Sequence, residues 1–251
     1  MYLDESYLDM FKGTGRKNSA GEDLKEFLTK YNPNVYQNPS NTVDTLVFTY
    51  IEENGHKKID KLLLIKRGNH PCIGYWALPG GFVEYREDIE KAALRELMEE
   101  TGIKDIEAEQ LKTYGAFDRD PRTRVITTAF VALVPSGSVS AKAADDACDS
   151  GWFNIEETLT DTFVDEDNIS HDIYKLKLTK NANENDIKNA MEYAGEIENG
   201  KVTLKALVEV TKKSGAVLEN ETYTIKKTSH LSADHGAIIL EGYHYIKNKL
   251  K

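Results

Sequence analysis

The stretch from Gly80 to Ile103 constrains this chain more than any other. It opens on a diglycine, Gly80-Gly81, and runs into an apolar stripe of Ile89, Ala92, Ala93, Leu94 and Leu97 at helical spacing. The pattern predicts a helix over 87–101, stopped by Gly102. Glu96, Glu99 and Glu100 stand at i, i+3 and i+4, so they share one helix face. Three carboxylates within one turn repel each other until something neutralises them. A hard divalent cation does so, and Mg²⁺ accepts carboxylate oxygens, waters and substrate phosphates together. Glu87, two turns before Arg95, is spaced for an ion pair that pins the helix to the loop before it. The diglycine permits a close backbone approach, which leaves a loop carbonyl free to complete a metal shell. Alone, Glu96-x-x-Glu99-Glu100 reads as a solvated helix face; its flanks argue for a site.

The rest of the composition narrows the class. The chain has 251 residues, 42 acidic against 32 basic side chains and a net charge of −10, which opposes binding nucleic acid through a broad basic face. An anionic substrate is still compatible if a cation carries the positive charge. The two cysteines, Cys72 and Cys148, have no metal-ligand spacing and read as free buried thiols of a reducing compartment. No basic-then-apolar leader opens the sequence, and the uncharged run 125–141 is too short and polar to span a bilayer. A cytoplasmic protein with no membrane partner is expected.

Residues 1–41 read as an N-terminal arm, with Leu24, Phe27, Leu28 and Tyr31 at helical spacing after Ser19 and Gly21, and with Pro33 and Pro39 as breakers. The residues from Thr42 to Ile51 and from Lys61 to Lys66 predict a hairpin with a buried strand. Further strands are expected at 106–113, 123–134 and 150–155, and a closing amphipathic helix from about Ala233 to Leu250. Between them, 157–230 is β-rich: 173–179, 202–210 and 221–228 alternate, and Ile187, Ala190, Met191 and Ala194 suggest a short helix. At about 70 residues this is marginal as a free-standing core, so it reads as an insertion that covers the cleft or builds a homodimer interface.

Gly81, Glu87, Arg95, Glu96, Leu97, Glu99, Glu100, Gly102 and Ile103 fill all nine specified positions of G-x5-E-x7-R-E-U-x-E-E-x-G-U, U being aliphatic. This resembles the Nudix hydrolase (MutT-like) signature. The approach Leu64-Ile65-Lys66-Arg67 and Trp76-Ala77-Leu78-Pro79 is similar to that of the ADP-ribose pyrophosphatase-like branch. So are Asp118-Arg119-Asp120-Pro121-Arg122, Asp145-Asp146-Ala147 before Trp152-Phe153, and Leu231-Ser232-Ala233-Asp234-His235 at the head of the last helix. The resemblance covers about 42–156 and 231–251 and departs at 157–230.

It implies an α/β/α sandwich with a mixed sheet. It also implies hydrolysis of a nucleoside diphosphate linked to another moiety, ADP-ribose first among them, to AMP and ribose 5-phosphate. Glu96 and Glu100 are the implied metal ligands, with Glu99 as ligand or holder of the water shell and the Gly80 carbonyl as a further ligand. Mn²⁺ is an alternative to Mg²⁺. The general base stays open among Glu99, Glu100, Asp118, Asp120 and Glu156. Arg119, Arg122 and Arg124 are the leading phosphate binders, or else a charged loop paired with Asp118 and Asp120; Arg67 is a weaker candidate. Trp76 reads as a packing anchor, Asp234 or Ser232 as a helix cap, and His235 as structural. His70 has no assignment.

Two other functions stand beside this one. The same branch includes ADP-ribose-sensing transcription regulators with a winged helix after the closing helix. Here that helix ends at Lys251, and no reader is expected after it. Lys175, Lys177, Lys212, Lys213, Lys226 and Lys227 read as solvated strand sides, with a basic DNA-binding face as the alternative. The third function is a Nudix enzyme for an oxidised NTP or a dinucleotide polyphosphate.

Overall fold

The computed structural model describes residues 8, 10–143, 147–189, 196–215 and 219–251. They form two compact units, Met1–Pro39 and Ser40–Lys251. In the first, a short helix α1 (Leu24–Lys30) precedes a 3-10 turn at Pro33–Val35. Its cap is Asp23, not Ser19 or Gly21. The Asp23 carboxylate accepts from the Glu26 N–H, and the Glu26 carboxylate accepts from the Asp23 N–H, each at 2.9 Å.

The second unit begins with β1 (Ser40–Glu53) and β2 (His56–Arg67), joined at Asn54 and Gly55, both with positive φ as a tight hairpin demands. Short β3 (Trp76–Ala77) and β4 (Gly80–Phe82) lead into helix α2 (Ile89–Thr101). Then come β5 (Glu109–Tyr114), β6 (Val125–Pro135), β7 (Ala147–Val164) and β8 (Ser170–Asn181). Helix α3 (Glu184–Asn189), β9 (Glu196–Glu198), β10 (Lys201–Ser214), β11 (Glu219–Ser229) and helix α4 (His235–Lys249) complete the chain. Of the expected motifs, Asp145, Asp146, Ala190, Met191 and Ala194 lie outside the described residues.

One sheet runs β11-β10-β8-β7-β2-β1-β6-β5. The β1–β6 pairing is parallel and the other pairings described are antiparallel, so the sheet is mixed. Alternation along β1 builds both layers of the sandwich, because successive side chains face opposite sides. Val43 and Val47 pack with Ala92, Ala93 and Leu97 of α2. Leu46 and Phe48 face the other way, into the cluster that holds Ile238 and Ile239 of α4. Trp76 packs as expected, buried and edge-on to Phe153 at 4.9 Å.

The 157–230 segment grows from this sheet. β7 does not stop at Ile155; it pairs with β2 up to Asn154 and continues to Val164 on β8. β10 and β11 then widen the sheet. Leu176, Leu178, Leu204 and Val208 are fully buried in the same cluster as Leu62 and Ile238. Each such side chain stabilises by about 1.5–3 kcal/mol, so the segment shares the main core. The cysteines depart from expectation: Cys72 is half-buried and Cys148 exposed. Among the described residues no helix is long and apolar enough to cross a membrane.

Candidate active site

β4 lies antiparallel to β1, with Gly81 opposite Val43 and Gly80 opposite Asp44. The glycines are steric necessities here. A Cβ on Gly80 would meet the Val43 carbonyl oxygen at 2.0 Å, and one on Gly81 would meet the Glu96 carboxyl carbon at 2.5 Å. The diglycine thus brings the α2 carboxylates against the sheet. Gly102 ends α2 in the left-handed region, its N–H bonded to the Met98 carbonyl.

Arg95 organises the acidic face. Its Nε and Nη2 donate to the two oxygens of Glu87 at 2.8 and 2.9 Å, a bidentate pair. Nη1 donates to Glu96 Oε1 at 2.8 Å and Glu99 Oε2 at 2.9 Å, and Nη2 also reaches the Phe82 carbonyl at 3.0 Å. The Glu87 hydrogen bonds raise the guanidinium above its ordinary pKa, and Arg95 in turn holds Glu87 low. Two of the three box glutamates therefore already face a positive charge from within the chain. Burial raises Glu96 even so, against the pull of Arg95.

Glu100 stands apart. Its carboxylate is buried and accepts the Gly80 N–H at 2.8 Å. Burial pushes its pKa up to about 8; the Gly80 hydrogen bond and Arg67 oppose the shift, while Glu96 and Asp44 add to it. A buried carboxylate with acidic neighbours is the arrangement a cation relieves. Among the described residues, no three His, Cys, Asp or Glu side chains already stand as a metal cage. Yet Glu96 and Glu99 each turn only one oxygen to Arg95, and the available donors are all oxygen, as hard cations require.

These groups line a cleft of about 450 Å³ with Arg67, Arg119, Asp120, Arg122, Asp44 and His235. The arginines divide by partner. Arg119 is bidentate to Asp234 at 2.9 and 3.0 Å, and Arg122 to Asp120 at 2.8 and 3.0 Å, with its guanidinium 5.2 Å above the Phe82 ring. Arg124 donates to the Gly115 and Ala116 carbonyls and is absent from the lining. Among the described residues Arg67 hydrogen-bonds only through Nε, to the Pro71 carbonyl at 2.8 Å. In the alternative of a charged loop, Arg119 would pair with Asp118 or Asp120; its carboxylate partner is Asp234. For the same reason Asp234 occupies the N-cap position of α4 without capping it.

Asp118 and Glu156, both candidate bases, are not among the cleft residues; Glu156 faces Lys177 at 3.8 Å on the sheet. Among the described residues none of 157–230 lines the cleft. His235, read as structural, does line it, and Asp44 was missed altogether. A carboxylate inside the apolar run Val43-Asp44-Thr45-Leu46 was the available signal, since buried charge demands a partner. Thr127 Oγ1 donates to Asp44 Oδ2 at 2.7 Å.

A diglycine strand feeding a helix of paired and buried glutamates, set against a mixed sheet, defines a hydrolase site of the Nudix type. The NUDIX domain family model matches residues 42–173, and the chain belongs to the Nudix family. It is 39% identical over 141 residues to an ADP-ribose pyrophosphatase of Methanocaldococcus jannaschii, covering 56% of this chain and 76% of that protein. It is 36% identical over 135 residues to the ADPR-responsive transcriptional repressor NtrR of Acinetobacter baylyi, covering 53% of this chain and 52% of the repressor. The solved structure of a MutT/nudix family protein from Enterococcus faecalis aligns with 99% of this chain and 76% of its own, at 27% identity and a TM-score of 0.56.

Proposed function

We propose that this chain is a Mg²⁺-dependent Nudix pyrophosphatase acting on a nucleoside diphosphate linked to another moiety, with ADP-ribose as substrate and AMP and ribose 5-phosphate as products. The observation that carries it is the buried Glu100 beside Glu96 and Asp44, inside an intact box, in a chain that covers 76% of an ADP-ribose pyrophosphatase at 39% identity. Mg²⁺, or Mn²⁺ in its place, supplies pyrophosphate neutralisation and a bound water of lowered pKa. Glu96, Glu99 and Glu100 hold it, with the Gly80 carbonyl as a further ligand.

The remaining roles belong to the chain's own groups. Glu87 and Arg95 fix the helix face. Arg67, with both Nη groups uncommitted, binds phosphate ahead of Arg119 and Arg122, which are engaged by Asp234 and Asp120. Glu99 and Glu100 are the carboxylates left for proton removal from the attacking water, because Asp120 is tied to Arg122, which holds it below its ordinary pKa.

The test is turnover of ADP-ribose, NADH, sugar nucleotides, dinucleotide polyphosphates and an oxidised NTP with Mg²⁺ and with Mn²⁺. ADP-ribose should lead, and Glu100→Gln should cost on the order of 10³-fold, about 4 kcal/mol. Full activity in Glu100→Gln would refute the metal assignment. The likeness to the repressor keeps a sensing function as the second reading. ADP-ribose binding without turnover, together with a gel shift at about 10⁻⁸ M DNA or tighter, would establish it instead.

A further inference from the structure

His235 opens α4, yet its ring reaches back to the diglycine loop. The Leu78 N–H donates to His235 Nδ1 at 2.9 Å across 157 residues of sequence. A backbone N–H can only donate, so Nδ1 is the acceptor, and in the neutral ring the proton then resides on Nε2. The contact thus fixes the tautomer as well as the orientation of the imidazole. The segment before α4 is also tied to the Trp76 strand through the backbone: the Trp76 N–H donates to the His230 carbonyl at 2.9 Å, and the Ser232 N–H to the Trp76 carbonyl at 2.8 Å.

Among the described residues Nε2 has no hydrogen-bond acceptor of its own. The nearest carboxylate oxygen, Asp44 Oδ1, is 3.8 Å away, beyond hydrogen-bond reach. The His235 side chain is only 10% exposed. Among the described residues no fully buried side-chain nitrogen or oxygen lacks a partner, so the accessible part of the ring includes Nε2, and His235 lines the cleft. Asp44 is itself occupied by the Thr127 hydroxyl and stands 4.0 Å from Arg119.

We propose that His235 Nε2–H is a fixed donor to a phosphoryl oxygen of the bound nucleoside diphosphate. It serves there as a binding residue beside Arg67. This rests on the pyrophosphatase reading for the identity of the ligand, though not for the geometry of the donor. A neutral donor is suited to this position, because it adds no charge next to the metal-binding carboxylates. It is also preoriented by the Leu78 contact, so little order is lost on binding.

Two substitutions separate donor from scaffold. His235→Asn places an amide near the Nδ1 position, keeping an acceptor for Leu78 while removing the Nε2 donor. His235→Gln places an amide near Nε2 and gives up the Leu78 contact. A substrate donor predicts that His235→Asn weakens ADP-ribose binding tenfold or more by calorimetry with Ca²⁺ in place of Mg²⁺, with Tm close to the parent. KM for ADP-ribose with Mg²⁺ should rise in parallel, while kcat stays within threefold. His235→Gln should keep binding within threefold of the parent and lose Tm. The opposite pattern, His235→Asn like the parent and His235→Gln impaired in binding, would overturn the proposal.

Should neither variant fold, imidazole ¹⁵N spectra of the parent decide. An unprotonated Nδ1 with an Nε2 resonance that moves on adding ADP-ribose supports the donor; a protonated Nδ1 or an unmoved Nε2 rejects it. A parent that binds ADP-ribose but turns over nothing in the panel defeats the pyrophosphatase reading while leaving the His235 contact to be judged by calorimetry. A parent that does not bind ADP-ribose defeats both.

Discussion

Glu100 gives the most direct physical test of the site, because its effect on folding has a definite sign and size. Its carboxyl goes from an ordinary 4.5 to about 8 in the folded, cation-free protein, chiefly through burial. A pKa raised by folding means that the folded state holds a proton the unfolded state releases. The stability contributed by the protonated form is complete below pH 4.5 and is lost as pH rises toward 8. Between those two values each step of one in pH costs at most about 1.4 kcal/mol, so the loss from pH 5 to pH 8 is about 3 kcal/mol. Glu100→Gln cannot ionise and keeps an oxygen for the Gly80 N–H, so it should not show that loss. Urea unfolding of both proteins in EDTA at half-unit pH steps measures the difference and cancels the titrating groups that do not interact with Glu100. The curves should diverge with rising pH, Glu100→Gln being the more stable by about 3 kcal/mol near pH 8. Adding Mg²⁺ should close the gap by stabilising only the parent. Parallel curves in EDTA would show that Glu100 is not desolvated as described, and nothing at this carboxylate would then call for a cation.

The adjacent glycines should fail in different ways. Gly80→Ala drives a Cβ into the Val43 backbone oxygen of a central strand, which cannot yield, and should cost about 3 kcal/mol or more in chemical denaturation. Gly81→Ala meets only the end of the Glu96 side chain, so folding should change by less than about 1 kcal/mol, while the displaced carboxylate lowers kcat on the order of 10²-fold. At the far end of α4, burial raises Glu157 and the His244 and Lys247 hydrogen bonds more than reverse it, taking its pKa to about 2. Because folding depresses this group, its stabilisation is present above pH 4.5 and disappears as pH falls toward 2; Glu157→Gln should flatten the acid limb of the stability curve there, and an unchanged limb would count against the pairing.

What could be read from the sequence was local. The box lies within one loop and one helix, so spacing alone placed Glu96, Glu99 and Glu100 on a common face and set Glu87 within reach of Arg95. Partners fixed by the fold were out of reach. Arg119 meets Asp234 across 115 residues and Leu78 meets His235 across 157, and no periodicity links them. The partners of the arginines were out of reach for the same reason: whether a carboxylate claims a guanidinium depends on which loops meet. β7 ran on beyond Ile155 because pairing with β8 sustains a strand whose own residues, Glu156, Glu157 and Asp161 among them, carry little apolar alternation.

Among the described residues the 157–230 segment touches the site only through α4. Its strands β10 and β11 form part of the floor on which α4 sits, and a Cβ on Gly236 would meet the Ala206 side chain at 2.8 Å, so the helix seats flush against them. The same helix presents Asp234 and His235 at its start, one gripping Arg119 and the other the diglycine loop. The positions of Asp234 behind Arg119 and of His235 in the cleft therefore follow the depth at which α4 packs on the added strands. A substitution that opens the Gly236–Ala206 contact displaces the start of α4 and loosens Arg119 and Leu78 together, although neither is touched directly. In that physical sense the extension of the sheet supports the active site from outside it, through the helix that supplies both contacts.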